Sequence, residues 1–447
     1  MKCAIAIVAA AAALASAVAT PAELVARASS SATATSSGSL PTVTPGGSSG
    51  AADPIANVAG CTRDIVEFKK LGINTVRVYT VDNTANHDQC MAALAAAGIY
   101  LALDVNTPHY AINRADPAPS YNSEYLQSVF ATIDAFAKYD NTLLFFSGNE
   151  VINDDNTTNC APYVKAVTRD MKQYIGSRGY RSIPVGYSAA DVESNRYEMA
   201  SYMNCGTADQ RSDFFAFNDY SWCDPSSSYT ISGRLSSRTS SVAQYSNYSI
   251  PLFLSEYGCI KNARNFEEVA SLYGTNMTPV YSGGLVYEYS EEGNHFGLVQ
   301  ISGSSVTEAS DFAALASELS QNQPSGDGGY KSSGSPSTCP AQSSTWEVTA
   351  FTGEELPAIP SGAAAYMKNG AGTGPGLSGS GSMSAGGSST GTATPGSGSV
   401  TAVASGGGSS ASASSAAQAL VAGELGFAPL VCGVLVLVSS LVGAALL

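Results

Sequence analysis

Charged side chains are missing from two long stretches of this chain, and those gaps decide how much of it can fold. Between Ala28 and Ala52 there is no Lys, Arg, Asp or Glu, and beyond Lys368 the one charged side chain is Glu424. Both stretches consist largely of Ser, Gly, Ala and Thr, which bury too little apolar surface to offset the entropy of ordering the chain. The foldable block therefore runs from residue 53 to 346, and about 300 residues suit one large domain with a full core. The formal net charge of −15, with no cluster of Lys or Arg, argues against nucleic acid or a polyanionic surface as partner.

Both ends read as addresses. Residues 1–19 have the basic start and small-apolar run of a secretory signal, with Ala17-Val18-Ala19 as the cleavage site; residues 20–52 follow as a low-complexity segment. Residues 430–447 are predominantly apolar with no Lys or Arg behind them, and Gly408, Ser409, Ser410 and Ser412 precede them. That layout is expected of a glycosylphosphatidylinositol (GPI) signal spanning 416–447, with Ser410 favoured for lipid attachment and 347–415 as a Ser/Gly-rich linker or stalk. A plain C-terminal transmembrane helix is the alternative reading. The mature protein is expected outside the cell, on the outer face of the plasma membrane or in the wall.

Secretion governs the cysteines. Of nine, Cys3 leaves with the signal and Cys432 with the tail, so seven remain: Cys61, Cys90, Cys160, Cys205, Cys223, Cys259 and Cys339. Most should be paired, one is left over, and no C-x-x-C spacing suggests zinc. His87, His109 and His295 are scattered singly, so neither metal nor cofactor is expected, and each is read as a surface or cleft residue. Sequons at Asn156, Asn247 and Asn276 fit N-glycosylation.

The middle block alternates in character. Strands are expected at residues 73–79, 99–105, 143–146, 183–187, 214–218, 251–255 and 284–289, with helices at 88–97, 121–139, 161–178, 194–203 and 266–276 between them. Such alternation argues a parallel α/β fold, and at this length a (β/α)8 TIM barrel, although only seven strands are counted. Active sites of such barrels lie at the C-terminal ends of the strands. Glu150 closes Leu143-Leu-Phe-Phe-Ser-Gly-Asn and Glu256 closes Pro251-Leu-Phe-Leu-Ser. Two carboxylates so placed are what glycosidic-bond chemistry needs, one to protonate the leaving oxygen and one to attack or to activate water. Period-2 alternation sends Arg77 and Tyr79 to the face opposite Val76 and Val78, and so sends Tyr79 toward the barrel mouth.

Gly148-Asn149-Glu150-Val151 and Ser255-Glu256-Tyr257-Gly258-Cys259, with Leu71-Gly-Ile-Asn-Thr-Val-Arg-Val-Tyr79, Arg181-Ser-Ile-Pro-Val-Gly-Tyr-Ser188 and Gly283-Gly-Leu-Val-Tyr-Glu-Tyr289, closely resemble the fungal β-1,3-glucanosyltransferases, glycoside hydrolase family 72. The resemblance implies a secreted, lipid-anchored enzyme that cuts an internal β-1,3 bond of a glucan donor, holds the new end covalently and passes it to the non-reducing end of an acceptor chain. It implies Glu150 as acid/base, Glu256 as nucleophile and Asn149 as the contact to the sugar 2-hydroxyl. Tyr79 and Tyr287 become donor-side contacts, and Asp191 and Arg196 acceptor-side contacts. It pairs Cys61 with Cys90, Cys205 with Cys339 and Cys223 with Cys259, leaving Cys160 unmatched.

Two departures from the family follow. No Cys lies between Cys339 and Cys432, so the chain resembles the branch without a Cys-rich carbohydrate-binding module. Family members carry the first barrel strand before the first Cys, where this chain has Ser, Thr, Ala and Gly; either the chain is a shortened relative or that stretch has been replaced. The missing strand carries an expectation of reduced stability and weak activity. An endo-β-1,3-glucan hydrolase, or a catalytically silent surface glycoprotein, is the alternative function.

Overall fold

A computed structural model describes residues 53–223, 242–324, 334–348, 355–383 and 392–393. The signal, the segment 20–52, Ser410 and the 416–447 tail lie outside the described residues. Seven strands, β1 (Thr75–Val78), β2 (Tyr100–Asp104), β3 (Thr142–Asn149), β4 (Val185–Ala190), β5 (Phe214–Asp219), β6 (Leu252–Tyr257) and β7 (Tyr281–Val286), form one parallel sheet in sequence order. The sheet curls into a nearly closed TIM-type barrel, with helices between the strands. The count of seven stands: among the described residues no eighth strand pairs with the outer edges of β1 and β7.

The helices begin and end where side chains can satisfy the loose backbone groups. Helix α1 (Val58–Leu71) is capped by Asn57, whose carboxamide accepts from the N–H groups of Ala59 and Gly60. Helices α2 (Asp88–Ala96), α3 (Ser123–Phe136), α4 (Ala161–Ser177) and α5 (Arg196–Met203) follow, and Asn122 caps α3 through Tyr125 N–H. Helix α6 is shorter than the expected 266–276 and spans Glu268–Leu272. Inside the barrel Ala102, Leu144, Phe146, Phe214, Ala216 and Phe253 form an apolar floor. Val78 joins the outer core between sheet and helices, so the alternation along β1 runs as the sequence indicates.

Elements that periodicity did not announce close the molecule. Helix α1 buries Arg63, Asp64 and Glu67 beside a short apolar stripe of Cys61, Ile65, Phe68 and Leu71, so its inward side mixes charge with apolar contact. Beyond β7 a hairpin, β8 (Val299–Ser302) with β9 (Ser305–Glu308), leads to α7 (Phe312–Gln321). Side chains join α1 to these last elements: Tyr289 donates to Asp64 at 2.9 Å, Arg63 to the Gly303 carbonyl at 2.8 Å, and Lys70 pairs with Glu308 at 2.7 Å. Phe68 meets Tyr289 edge to face.

The linker expectation from residue 347 is corrected for residues 355–383. Leu356, Ala363, Ala371 and Ser382 are buried, and α8 (Ser361–Asn369) packs on α3 and α4, with Tyr366 edge-on to Phe130. Small residues here allow close packing, which composition alone cannot distinguish from looseness. His87 is a second correction, since it is buried and paired with Asp53 at 2.7 Å; His109 and His295 are exposed.

Disulfides join Cys61 to Cys90, Cys205 to Cys339 and Cys223 to Cys259. Cys160 is free and buried, and burial pushes its thiol up to about 11. The sequon residues Asn156, Asn247 and Asn276 are all exposed.

Candidate active site

Polar side chains at the C-terminal ends of the strands converge on the two carboxylates. Glu256, on β6, is buried. Its Oε1 accepts from the Tyr79 hydroxyl at 2.9 Å and from Arg77 Nη1 at 3.3 Å, while Oε2 accepts from the Tyr220 hydroxyl at 2.6 Å. Burial pushes the Glu256 carboxyl above its ordinary value, and the Arg77 charge and the Tyr220 and Tyr79 hydroxyls pull the other way.

Arg77 is the hub of the site. It forms a two-pronged ion pair with Asp104 at 2.8 and 3.0 Å, and its Nη2 donates to Asn149 Oδ1 at 3.0 Å. Its guanidinium lies 4.3 Å from the ring centres of both Tyr79 and Phe146. Burial works against the Arg77 charge, yet the Asp104 carboxylate holds the guanidinium above its already high value, so it stays cationic.

That arrangement fixes the Asn149 amide. Arg77 can only donate, so the atom facing it is the oxygen, which also accepts from Ser188 Oγ at 2.7 Å. The amide nitrogen is thereby turned away from these donors and left to donate elsewhere. Glu150 follows with φ of +46°, a left-handed conformation costing a non-glycine residue about 1 kcal/mol or more. In a regular strand, neighbouring side chains point to opposite faces. Here the turn lets Glu150 Oε1 and Asn149 Oδ1 share one partner, the Asn218 amide, at 2.8 and 3.3 Å. Asn218 is held in turn because its Oδ1 accepts from the Ser255 hydroxyl at 2.8 Å.

Aromatic rings frame Glu256. Tyr287 stands edge-on to Tyr79 at 6.1 Å, to Tyr220 at 6.3 Å and to Phe296 at 5.3 Å between ring centres. A groove extends from Tyr79 and Asn149 past Asp104, Asn106 and Thr107 to Arg114. Asp191, on the loop after β4, and Arg196, in the first turn of α5, form an ion pair at 3.0 Å with each other.

The sequence reading did not single out Asp104, Ser188, Asn218, Tyr220 or Ser255 as site residues, and it named Arg77 only for its face. Asp104 and the Asn218-Asp-Tyr220 run end or follow apolar strands as Glu150 does, so the same positional signal could have found them. Among the described residues no group of His, Cys, Asp and Glu is arranged to hold a metal.

Residues 37–323 match the glycoside hydrolase 72 family model, described as glucanosyltransferase. The 1,3-beta-glucanosyltransferase gel1 of Aspergillus fumigatus is 61% identical over 337 residues, covering 75% of this chain and 73% of the relative. The 1,3-beta-glucanosyltransferase GAS5 of Saccharomyces cerevisiae is 56% identical over 334 residues, covering 74% and 67%. Among solved structures, Saccharomyces cerevisiae Gas2p in complex with laminaritetraose and laminaripentaose superposes with a TM-score of 0.62 at 36% identity, covering 72% of each chain.

Proposed function

The chain belongs to the glycoside hydrolase 72 family of glucanosyltransferases, and on that premise we propose that it elongates β-1,3-glucan by a retaining double displacement. Glu256 attacks the anomeric carbon of the donor while Glu150 protonates the departing glycosidic oxygen. A glycosyl ester on Glu256 and a released chain result. Glu150, now ionised, takes the proton of an acceptor hydroxyl, which attacks the anomeric carbon, breaks its bond to the Glu256 carboxylate and frees Glu256.

The observation that carries this reading is the different handling of the two carboxylates. Glu256 has both oxygens engaged by Arg77, Tyr79 and Tyr220, which favour the anion a nucleophile must be. Glu150 is held through one oxygen by Asn218, leaving the other to carry a proton. The oriented amide of Asn149 suits donation to the sugar 2-hydroxyl, a contact that strengthens in the transition state. Tyr79 and Tyr287 supply ring faces for the donor sugars. Asp191 and Arg196 serve the acceptor side, supported by their place beyond the end of β4.

The same reading extends to location. A signal over 1–19 exports the chain, and a GPI lipid attached at Ser410 takes the place of everything after that residue, the 416–447 signal included, and anchors the protein to the outer face of the plasma membrane, where donor and acceptor glucans lie. The apolar run 430–447 and the small residues Gly408, Ser409, Ser410 and Ser412 upstream of it support this.

Incubation with a reduced laminari-oligosaccharide tests the activity. Chains both longer and shorter than the starting material are expected. Only shorter ones would make the protein a hydrolase, and an unchanged substrate would refute the proposal.

A further inference from the structure

Past α8 the chain runs Ala371-Gly-Thr-Gly-Pro-Gly-Leu-Ser-Gly-Ser-Gly-Ser-Met383, a composition that suggests a tether. It is instead fastened along its length. Ala371 N–H donates to the Tyr174 hydroxyl at 2.8 Å, its carbonyl accepts from Gln127, and Gly376 N–H donates to Asn83 Oδ1 at 3.0 Å. At its far end Ser382, fully buried, donates its N–H to the His109 carbonyl at 3.0 Å and accepts from the Asn122 amide at 2.6 Å. Gly381 N–H donates to the Tyr110 hydroxyl at 3.2 Å.

Two glycines are required for this contact. A Cβ on Gly379 would lie 2.3 Å from the Tyr110 hydroxyl, and Gly381 has φ of +84° with its Cβ position 2.8 Å from the His109 carbonyl oxygen.

His109 and Tyr110 belong to the loop after β2. Thr107 and Tyr110 form an isolated bridge, and Thr107, Pro108, Ala111 and Ile112 wall the groove that begins at Tyr79 and Asn149. Tyr110 and Ile112 root this loop in the core, Pro108 and His109 at its tip are exposed, and the outer side of the turn is clamped by the Gly-rich segment.

We propose that residues 371–383 form a strap that positions the groove wall at 107–112, so that this segment helps set how firmly a β-glucan chain is held. The inference rests on the groove being the glucan site. In the full chain, Gly379→Leu displaces the strap from Tyr110, and Tyr110→Phe removes the acceptor of Gly381 N–H without touching the groove. For both, KM for a laminari-oligosaccharide donor is expected to rise about fivefold or more with kcat changed less than about twofold. Amide hydrogen exchange over 107–113 should quicken at least tenfold.

Loop exchange unchanged from the parent protein overturns the proposal whatever the activity, as does a fall in kcat with KM unmoved. The two readings fail separately, because absence of transfer by the unaltered chain counts against the function and unaltered exchange counts against the strap.

Discussion

Removing one hydroxyl, in Tyr220→Phe, tests the electrostatics of the nucleophile. The hydroxyl donates to Glu256 Oε2 at 2.6 Å, whereas the ring packs against Tyr287 and Phe296, so phenylalanine keeps the packing. A hydrogen bond to a charged group is worth about 1.5–3 kcal/mol, and about 1.4 kcal/mol corresponds to one pH unit. Burial already pushes the Glu256 carboxyl up; loss of the donor pushes it further, by about one to two units. Protonated Glu256 cannot attack, so the acid limb of the pH profile of kcat/KM for glucan transfer should move to higher pH by that amount. At a pH on the acid limb the variant should then be about 10- to 100-fold slower, with the deficit shrinking as pH rises. An acid limb that stays in place or moves down, in a variant with an unchanged thermal midpoint, would refute the assignment of Tyr220 as a support of the anion.

Glu150→Gln and Glu256→Gln should each lower transfer by several orders of magnitude with circular dichroism unchanged. Burial raises the Glu256 carboxyl above its unfolded value, so stability from this group is present at low pH and lost as pH rises through the raised value; Glu256→Gln removes that loss, and its thermal midpoint at pH 7 should not fall below that of the parent. Cys339→Ser opens a loop of 134 residues, worth up to about 5 kcal/mol in the chain-entropy model, and calorimetry should show a midpoint lower by roughly 5–10 °C. A phosphatidylinositol-specific phospholipase should release the protein from membranes, and mass spectrometry finding residues 430–447 in the mature protein would contradict the anchor.

The barrel and its two carboxylates were legible because buried parallel strands leave unbroken apolar runs, and a charged residue that ends such a run stands out. Glu150 and Glu256 are both of this kind. Part of what supports them was not legible: Ser188 and Ser255 are ordinary polar residues inside strands, and their meaning lies in a network with Asn218 assembled from three strands. Helix α1 went unread because buried Arg63, Asp64 and Glu67 interrupt the short apolar stripe of Cys61, Ile65, Phe68 and Leu71 that would otherwise betray a helix. The strap was misread because close packing and flexibility both select glycine.

The side-chain ties from α1 to Tyr289, Gly303 and Glu308 have a mechanical meaning. Strands elsewhere in the barrel are held by ladders of backbone bonds, but β1 and β7 meet with no strand between them among the described residues, so their separation is governed by a few side chains at the barrel's rim. The aromatic frame is divided across that same slit, with Tyr79 on one lip and Tyr287 on the other. Warming would part the lips before it melts the staves, and the enzyme would fall silent while most of its secondary structure persisted. A sugar chain lying across both tyrosines would work as a clasp, strengthening the molecule at its weakest line.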